Sequence, residues 1–312
     1  MREGAAHPRY SLRPCKELDV DVVLSQVFTG ISIGSVLLLA ALGLMLTFGQ
    51  MGVINMAHGE FMMAGAYTAY MVQRGFPDEI SLLVSIPIGF VVGGLMGLLL
   101  EAVVIRWMYH RPLDTLLVTF GVGLVLQQLA RDIFGAPAKQ VRSPSWLHGQ
   151  VDVFGYQWPI SRLFITAMAI LAVVGVAATM RYTSLGRRIR ATVQNRDLAE
   201  TVGISTRAAD RATFFIGSGL AGVAGVLVTL VGSTGPNLGQ SYIIDVFLVV
   251  VAGGIGQIKG TVIAAFGLGI IDSFLSHATS GSVAKALIFV LIVLFLQARP
   301  EGLFAVRTRS LV

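Results

Sequence analysis

The chain is 312 residues long, 54% hydrophobic and only 13% charged, with a formal net charge of +6. A soluble domain carries about a quarter charged residues; here no Asp, Glu, Lys or Arg occurs between Asp21 and Glu60, Glu79 and Glu101, Arg162 and Arg181, or Arg211 and Asp245. Gaps that approach or exceed the roughly 20 residues of a bilayer-crossing helix argue against a soluble core, and basic residues placed between apolar runs argue against nucleic-acid binding.

Residues 1–21 form a polar N-terminal extension of mixed charge, and the lone Cys15 has no internal disulfide partner. The apolar run from Val22 is too long for a signal-peptide core, so it reads as a retained helix. Runs such as Val36–Leu46 and Leu287–Leu296 are continuously apolar, without the alternation of a barrel strand. In lipid, each such run must satisfy its own backbone groups. The fold class is therefore all-α: a polytopic transmembrane helical bundle filling residues 22–312. Hydropathy places about nine segments (roughly eight to ten) near 23–48, 56–73, 81–105, 114–131, 161–180, 211–232, 242–258, 261–278 and 283–298.

Basic residues orient the bundle. Arg181, Arg187, Arg188, Arg190, Arg196, Arg207 and Arg211 face only Asp197, Glu200 and Asp210, so the loop 181–211 is cytoplasmic. Arg106, His110 and Arg111 mark another inside loop, and Arg299, Arg307 and Arg309 an inside tail. The balanced loop 132–160 lies outside, with Trp146 and Trp158 at the interface. Counting back places the N-terminus outside.

Between the first two segments lies Gly49-Gln50-Met51-Gly52-Val53-Ile54-Asn55-Met56-Ala57-His58-Gly59-Glu60. Irregular polar backbone at membrane depth survives where it is buried in protein or lines a wet cavity, and such interruptions mark solute sites. Gln50 and Asn55 both donate and accept hydrogen bonds. The plainer reading is an interfacial turn with Asn55 and Glu60 as helix caps. In the loop 181–211, Thr183 or Ser184 suits an N-cap and Gly203 a helix stop. Leu185, Ile189 and Val193 share one face, as in an amphipathic element that seats in a partner's groove; the plainer reading is a basic loop near anionic lipid.

Gly217, Gly219, Gly222 and Gly225 suit close helix packing, as do Gly93, Gly94 and Gly97. The GxGxxG at 217–222 lacks the strand and acidic residue of a dinucleotide site. Gly253–Thr261 contains Lys-Gly-Thr, the wrong order for a phosphate loop, and reads as a sharp inside turn. Glu101, Asp245, Asp272, His277 and Lys285 fall near segment ends, where snorkelling or capping explains them. Neither a metal-ligand spacing nor a nucleophile–base pair is present in the sequence, so no metal, cofactor or enzymatic activity is expected.

Gly52–Glu60 with Gly65-Ala66-Tyr67, Gly186-Arg187 through Asn195, Ala199 and Gly203-Ile204, and Gly253–Gly256 with Gly260-Thr261-Val262 together resemble the high-affinity branched-chain amino acid permease family of ABC importers. Asp114–Val122 with Gln127-Gln128, Arg142–Leu147 and Arg299–Phe304 look closer to that family's urea branch. The resemblance implies an ABC importer permease fold in the bacterial inner membrane and partnership with a second permease in a heterodimer. It also implies two ATP-binding subunits, which carry out the hydrolysis, and a periplasmic solute-binding protein. The expected solute is urea, with branched-chain amino acids as the alternative; a secondary transporter is the reading from a different class. The expected substrate path comprises Gln50, Asn55, His58, Glu60, Thr119 and Gln127. The expected ATPase-coupling set comprises Gly186, Arg187, Arg190, Asn195, Glu200 and Gly203.

Overall fold

The computed structural model describes residues 15–108, 111–153 and 156–304. The expectations placed on residues 1–14, His110, Arg307 and Arg309 lie outside the described residues. Eleven α-helices follow in order: α1 Cys15–Met51, α2 His58–Val72, α3 Asp78–Val103, α4 Pro112–Phe134, α5 Ile160–Tyr182, α6 Ser184–Gln194, α7 Arg196–Thr201, α8 Thr206–Val228, α9 Leu238–Gly253, α10 Ile258–Ala278 and α11 Gly281–Ala298. Helix α1 begins ahead of the residue-22 boundary, because helical hydrogen bonds do not require apolar side chains; its apolar part is Val22–Met51.

Among the described residues, seven helices are long and apolar enough to cross a membrane. The predicted spans at 56–73 and 242–258 are instead the short helices α2, with 15 residues, and α9, with 16. At about 1.5 Å per residue, neither reaches across a 30 Å hydrocarbon core. Hydropathy counted apolar residues in the flanking irregular backbone as helix.

Helices α1 and α8 form the centre. Glycine makes this possible: Gly222 of α8 lies against Gly89 and Gly93 of α3 and Gly65 of α2, where a Cβ would strike the Gly89 carbonyl. Without a hydrophobic force between helices in lipid, such backbone approach supplies the packing. The peripheral helices turn Leu117, Leu171 and Leu294 outward. The turn between α9 and α10 is sharp, as expected, with Gly254 and Gly256 at φ 99° and 76°, values that favour glycine.

The loop between α4 and α5 adds strands β1 Gln150–Val153 and β2 Tyr156–Pro159, paired antiparallel. Trp158, expected at the lipid interface, is buried: its ring lies 4.6 Å from Phe28 and its Nε1 donates to Ser32 Oγ at 3.3 Å. An aromatic clasp on α1 buries more of the indole than the interface would. Trp146 remains 40% exposed.

Candidate functional site

Helix α1 ends at the basic end of the bundle, beside α6 and α7, which the charge rule makes cytoplasmic. After Met51 the chain turns at Gly52 (φ 65°) and climbs back in extended form to a turn at Met56-Ala57. At the start of α2, His58 Nε2 lies 3.0 Å from the Ala40 carbonyl, about three turns short of the end of α1. Helix α2 therefore begins deep inside the bundle and runs to the opposite end, where Gln73 Oε1 accepts from the Arg142 N–H at 2.9 Å. Helix α9 begins beside it, with Gly239 packed on Gly59, and runs the other way, its turn at Gly256 touching Gly49. Two half-length helices thus start side by side in the interior.

Their first turns line a small cavity of about 60 Å³ bounded by Met56, Glu60, Phe120, Gly123, Leu124, Gln127, Gln240, Ile243 and Ile244. Each helix start carries a partial positive charge, although the His58, Glu60 and Leu238 N–H groups already donate to the Asn55, Ala57 and Gly235 carbonyls. Glu60 is only 5% exposed, and its Oε2 has no hydrogen-bond partner among the described residues. Gln127 Nε2 lies 3.4 Å from Gln240 Oε1 across the cavity. Phe120 and Leu124 of α4 are 42% and 47% exposed, so the cavity's outer wall is a free face.

Of the expected path residues, Glu60 and Gln127 line this cavity, and the other four stand behind or below it. Thr119 Oγ1 accepts from the Met56 N–H at 3.0 Å and lies 3.2 Å from the Ile54 carbonyl and 2.7 Å from the Thr115 carbonyl, pinning the extended backbone to α4. Asn55 Oδ1 accepts from the Ala57 N–H at 3.1 Å. His58 is fully buried against α1. Asn55 Nδ2 and His58 Nδ1 join Glu60 Oε2 as buried atoms without a partner among the described residues. Helix α2 takes no side-chain cap; its cap position is Ala57.

Gln50 sits lower, in a clamp at the basic end. Its Nε2 donates to Asp210 Oδ1 at 3.1 Å, and its Oε1 accepts from Thr213. The fully buried Asp210 also pairs with Arg196 of α7. Glu101 at the end of α3 pairs with Arg211 of α8 at 3.5 Å. The clamp joins α1, α3, α7 and α8 just below the break.

The loop expected to couple to the ATPase is two helices, where a single amphipathic element was expected. Thr183 Oγ1 caps α6 by accepting from the Gly186 N–H at 3.1 Å, and Asn195 Oδ1 caps α7 by accepting from Leu198 N–H at 2.9 Å. Gly186 is wedged against the Thr179 and Met180 carbonyls, and Gly203 ends α7 at φ 83°. Arg190 donates to the Met180 carbonyl, and Glu200 accepts from Thr206. Of the apolar face predicted to enter a partner, Ile189, 5% exposed, and the half-buried Leu185 seat in the chain's own body, while Val193 stays outward. The surface left outward presents Arg187, Arg188, Val193, Leu198 and Val202. Sequence reasoning missed Gln240, Arg196, Asp210 and Thr213. Gln240 could have been found as Asn55 was, since Gly235-Pro236-Asn237 breaks the chain just before it.

A polytopic bundle with a helix-start cavity and a basic end has the architecture of a transport permease. The family described as "Branched-chain amino acid transport system / permease component" matches residues 26–296, and the chain belongs to it. It is 30% identical to the high-affinity branched-chain amino acid transport system permease protein LivH of Escherichia coli K12, over 90% of this chain and 94% of the relative. Identity is 27% to the permease protein BraD of Pseudomonas aeruginosa, over 90% and 95%. It is 26% to the ribose import permease protein RbsC of Haemophilus influenzae, over 74% and 72%. No solved structure matches. The chain is thus a multi-pass inner-membrane transport subunit and not an enzyme; hydrolysis of ATP belongs to separate subunits. The family implies ATP-binding subunits, a substrate-binding protein and a second permease.

Proposed function

We propose that this chain forms half of the translocation path of an ATP-driven importer for branched-chain amino acids. The observation that carries the reading is Glu60, a buried carboxylate with an unpartnered oxygen at the starts of two half-length helices. An amino acid brings an ammonium for Glu60 and a carboxylate for the helix N-termini, the pattern of discontinuous helices in other transporters. Urea is neutral and has no need of either charge. The urea-like stretches Asp114–Val122, Arg142–Leu147 and Arg299–Phe304 carry weaker support, because the names of LivH and BraD point to amino acids.

A cavity of about 60 Å³ holds a few waters and not a whole amino acid. The exposed face of α4 is the wall that a second permease, in a heterodimer, would complete. Closure of the two ATP-binding subunits would press on the outward face of α6 and α7. Arg196, Asp210 and Gln50 would carry that displacement to the break at Gly52–Ala57, opening the cavity as α2 moves against α9. The contact in which Gln50 donates to Asp210 is the positioning step, and Glu60 the substrate contact.

The test is uptake by the complex reconstituted with its ATP-binding subunits and solute-binding protein. ATP-dependent accumulation of labelled leucine, with labelled urea excluded, is the expected result. Urea uptake without leucine uptake restores the urea reading, and leucine uptake driven by a proton gradient without ATP makes the chain a secondary transporter.

A further inference from the structure

A seam of polar contacts joins α4 to α9 at the cavity and beyond it. Helix α4 runs parallel to α2, with Thr119 at Met56 and Phe134 stacked on Tyr67 at 4.1 Å. At the cavity, Gln127 of α4 meets Gln240 of α9 at 3.4 Å. Arg131 stands one turn further along α4. Its Nη2 donates at 2.7 Å to Oδ1 of Asn237, the residue just before α9. Beyond both helices, Lys139 and Thr234 exchange backbone hydrogen bonds of 2.7 and 2.8 Å. The contacts follow one another away from Glu60, toward the end remote from α6 and α7.

Arg131 is the cation of this seam. An arginine in the last turn of a helix commonly complements the helix dipole or reaches for water. This one is half-buried and turned across to Asn237. Among the described residues it forms no ion pair. A single neutral amide therefore holds a guanidinium with donors to spare. Asn237 in turn makes no cap bond to α9. Gly123, Gln127 and Arg131 share one face of α4. A Cβ on Gly123 would lie 3.6 Å from Glu60 Cγ, and the charge of Arg131 acts on Glu60.

Donors matter because the helix starts are short of them. The His58, Glu60 and Leu238 N–H groups already donate to carbonyls. Partial charge at the helix starts still attracts a carboxylate, but these three N–H groups are spent. A guanidinium offers a carboxylate two parallel charge-assisted bonds, more than it gains from an amide oxygen.

We propose that Arg131 is the specificity-determining contact for the substrate's carboxylate, which displaces Asn237 from the guanidinium while the substrate's ammonium goes to Glu60. The aliphatic side chain meets Met56, Phe120, Leu124, Ile243 and Ile244, the apolar lining of the cavity. The same exchange parts Arg131 from Asn237 and loosens the seam between α4 and α9, which enlarges the cavity. This inference rests on the amino-acid reading of the cavity and adds the residue that tells an amino acid from an amine.

The experiment is equilibrium dialysis of the purified permease complex, without solute-binding protein, against radiolabelled leucine, leucinol and urea. Leucinol keeps the ammonium and the aliphatic chain but has no carboxylate. The melting temperature of each variant is the folding control. The wild type is expected to retain leucine over leucinol. Arg131→Gln lowers leucine retention roughly tenfold, the loss of one charge-assisted contact, and leaves leucinol retention unchanged. Arg131→Lys, with the charge but not the fork, falls between. Asn237→Ala, which frees the guanidinium, holds leucine at least as tightly as the wild type. Equal retention of leucine and leucinol by the wild type, or retention of none of the three, overturns the inference and leaves the amino-acid reading standing. An equal fall for both ligands in Arg131→Gln, or a matching fall in Asn237→Ala, also overturns it, because Arg131 would then be a brace of the seam. Retention of urea alone would remove the amino-acid reading itself, and this inference with it.

Discussion

The clamp at the basic end and the cavity above it are both built from polar side chains in an apolar bundle, yet they are satisfied differently. In the clamp, Asp210 accepts from Gln50 and pairs with Arg196, and Glu101 pairs with Arg211. At the break and its cavity, Asn55, His58 and Glu60 each keep a buried atom without a partner among the described residues. A paired buried network holds elements in fixed register, whereas an unpaired buried group is costly unless a ligand or a moving element meets it. The lower region is thus suited to transmitting a displacement, and the upper to receiving a solute.

The largest effect should follow from breaking the clamp. Asp210→Ala strips a buried partner from Arg196 and Gln50, at a cost of about 3–5 kcal/mol for a fully buried pair and less here, since the Arg196 side chain is 29% exposed. Uptake should collapse while ATP hydrolysis by the assembled complex continues, and Asp210→Asn, which keeps the contact to Gln50, should retain more uptake. Uptake tightly coupled to hydrolysis in Asp210→Ala would remove the clamp from the mechanism.

Glu60→Gln tests the upper region. Leucine uptake should fall about tenfold, or ~1.4 kcal/mol in the transport step, with the melting temperature unchanged or raised, because a buried charge has been removed. A fall in melting temperature with uptake intact would assign Glu60 to structure instead.

Thr119→Val removes the hydroxyl that holds the part-buried Met56 N–H and leaves that donor without its acceptor. About 1 kcal/mol of stability should be lost, read as a melting temperature lower by a few degrees, with KM for leucine changed more than the hydrolysis rate. Smallest in stability is Arg187→Ala with Arg188→Ala, on exposed side chains, which should shift melting by under ~0.5 kcal/mol. The same pair should weaken retention of the ATP-binding subunits on an affinity column, more so at raised salt. Equal retention would move the docking surface off α6.

Much of this was legible in the residues. The gaps in charge read as helices, Gly217–Gly225 as a packing face, Thr183 and Gly203 as helix limits, and Gly49–Glu60 as an interruption worth attention. Hydropathy overcounted the full spans, because a window sums apolar side chains without knowing whether their backbone is helical. Helical spacing and loop charge placed Ile189 and Trp158 at a partner and at lipid, whereas both are buried by the chain itself.

Composition and the order of apolar and basic runs determined that this chain lives in a membrane, which end of the bundle is basic and where its backbone breaks. These follow from local chemistry: the cost of charge in lipid, the need to close backbone hydrogen bonds, and the conformations open to glycine. Only tertiary packing decided that α2 and α9 are half-length and start side by side. It set Glu60 and Gln127 at one cavity and sent Gln50 down to Asp210, 160 positions away in sequence. The depth at which a helix begins is fixed by which glycines and carbonyls it meets on its neighbours, and no single stretch of sequence carries that information.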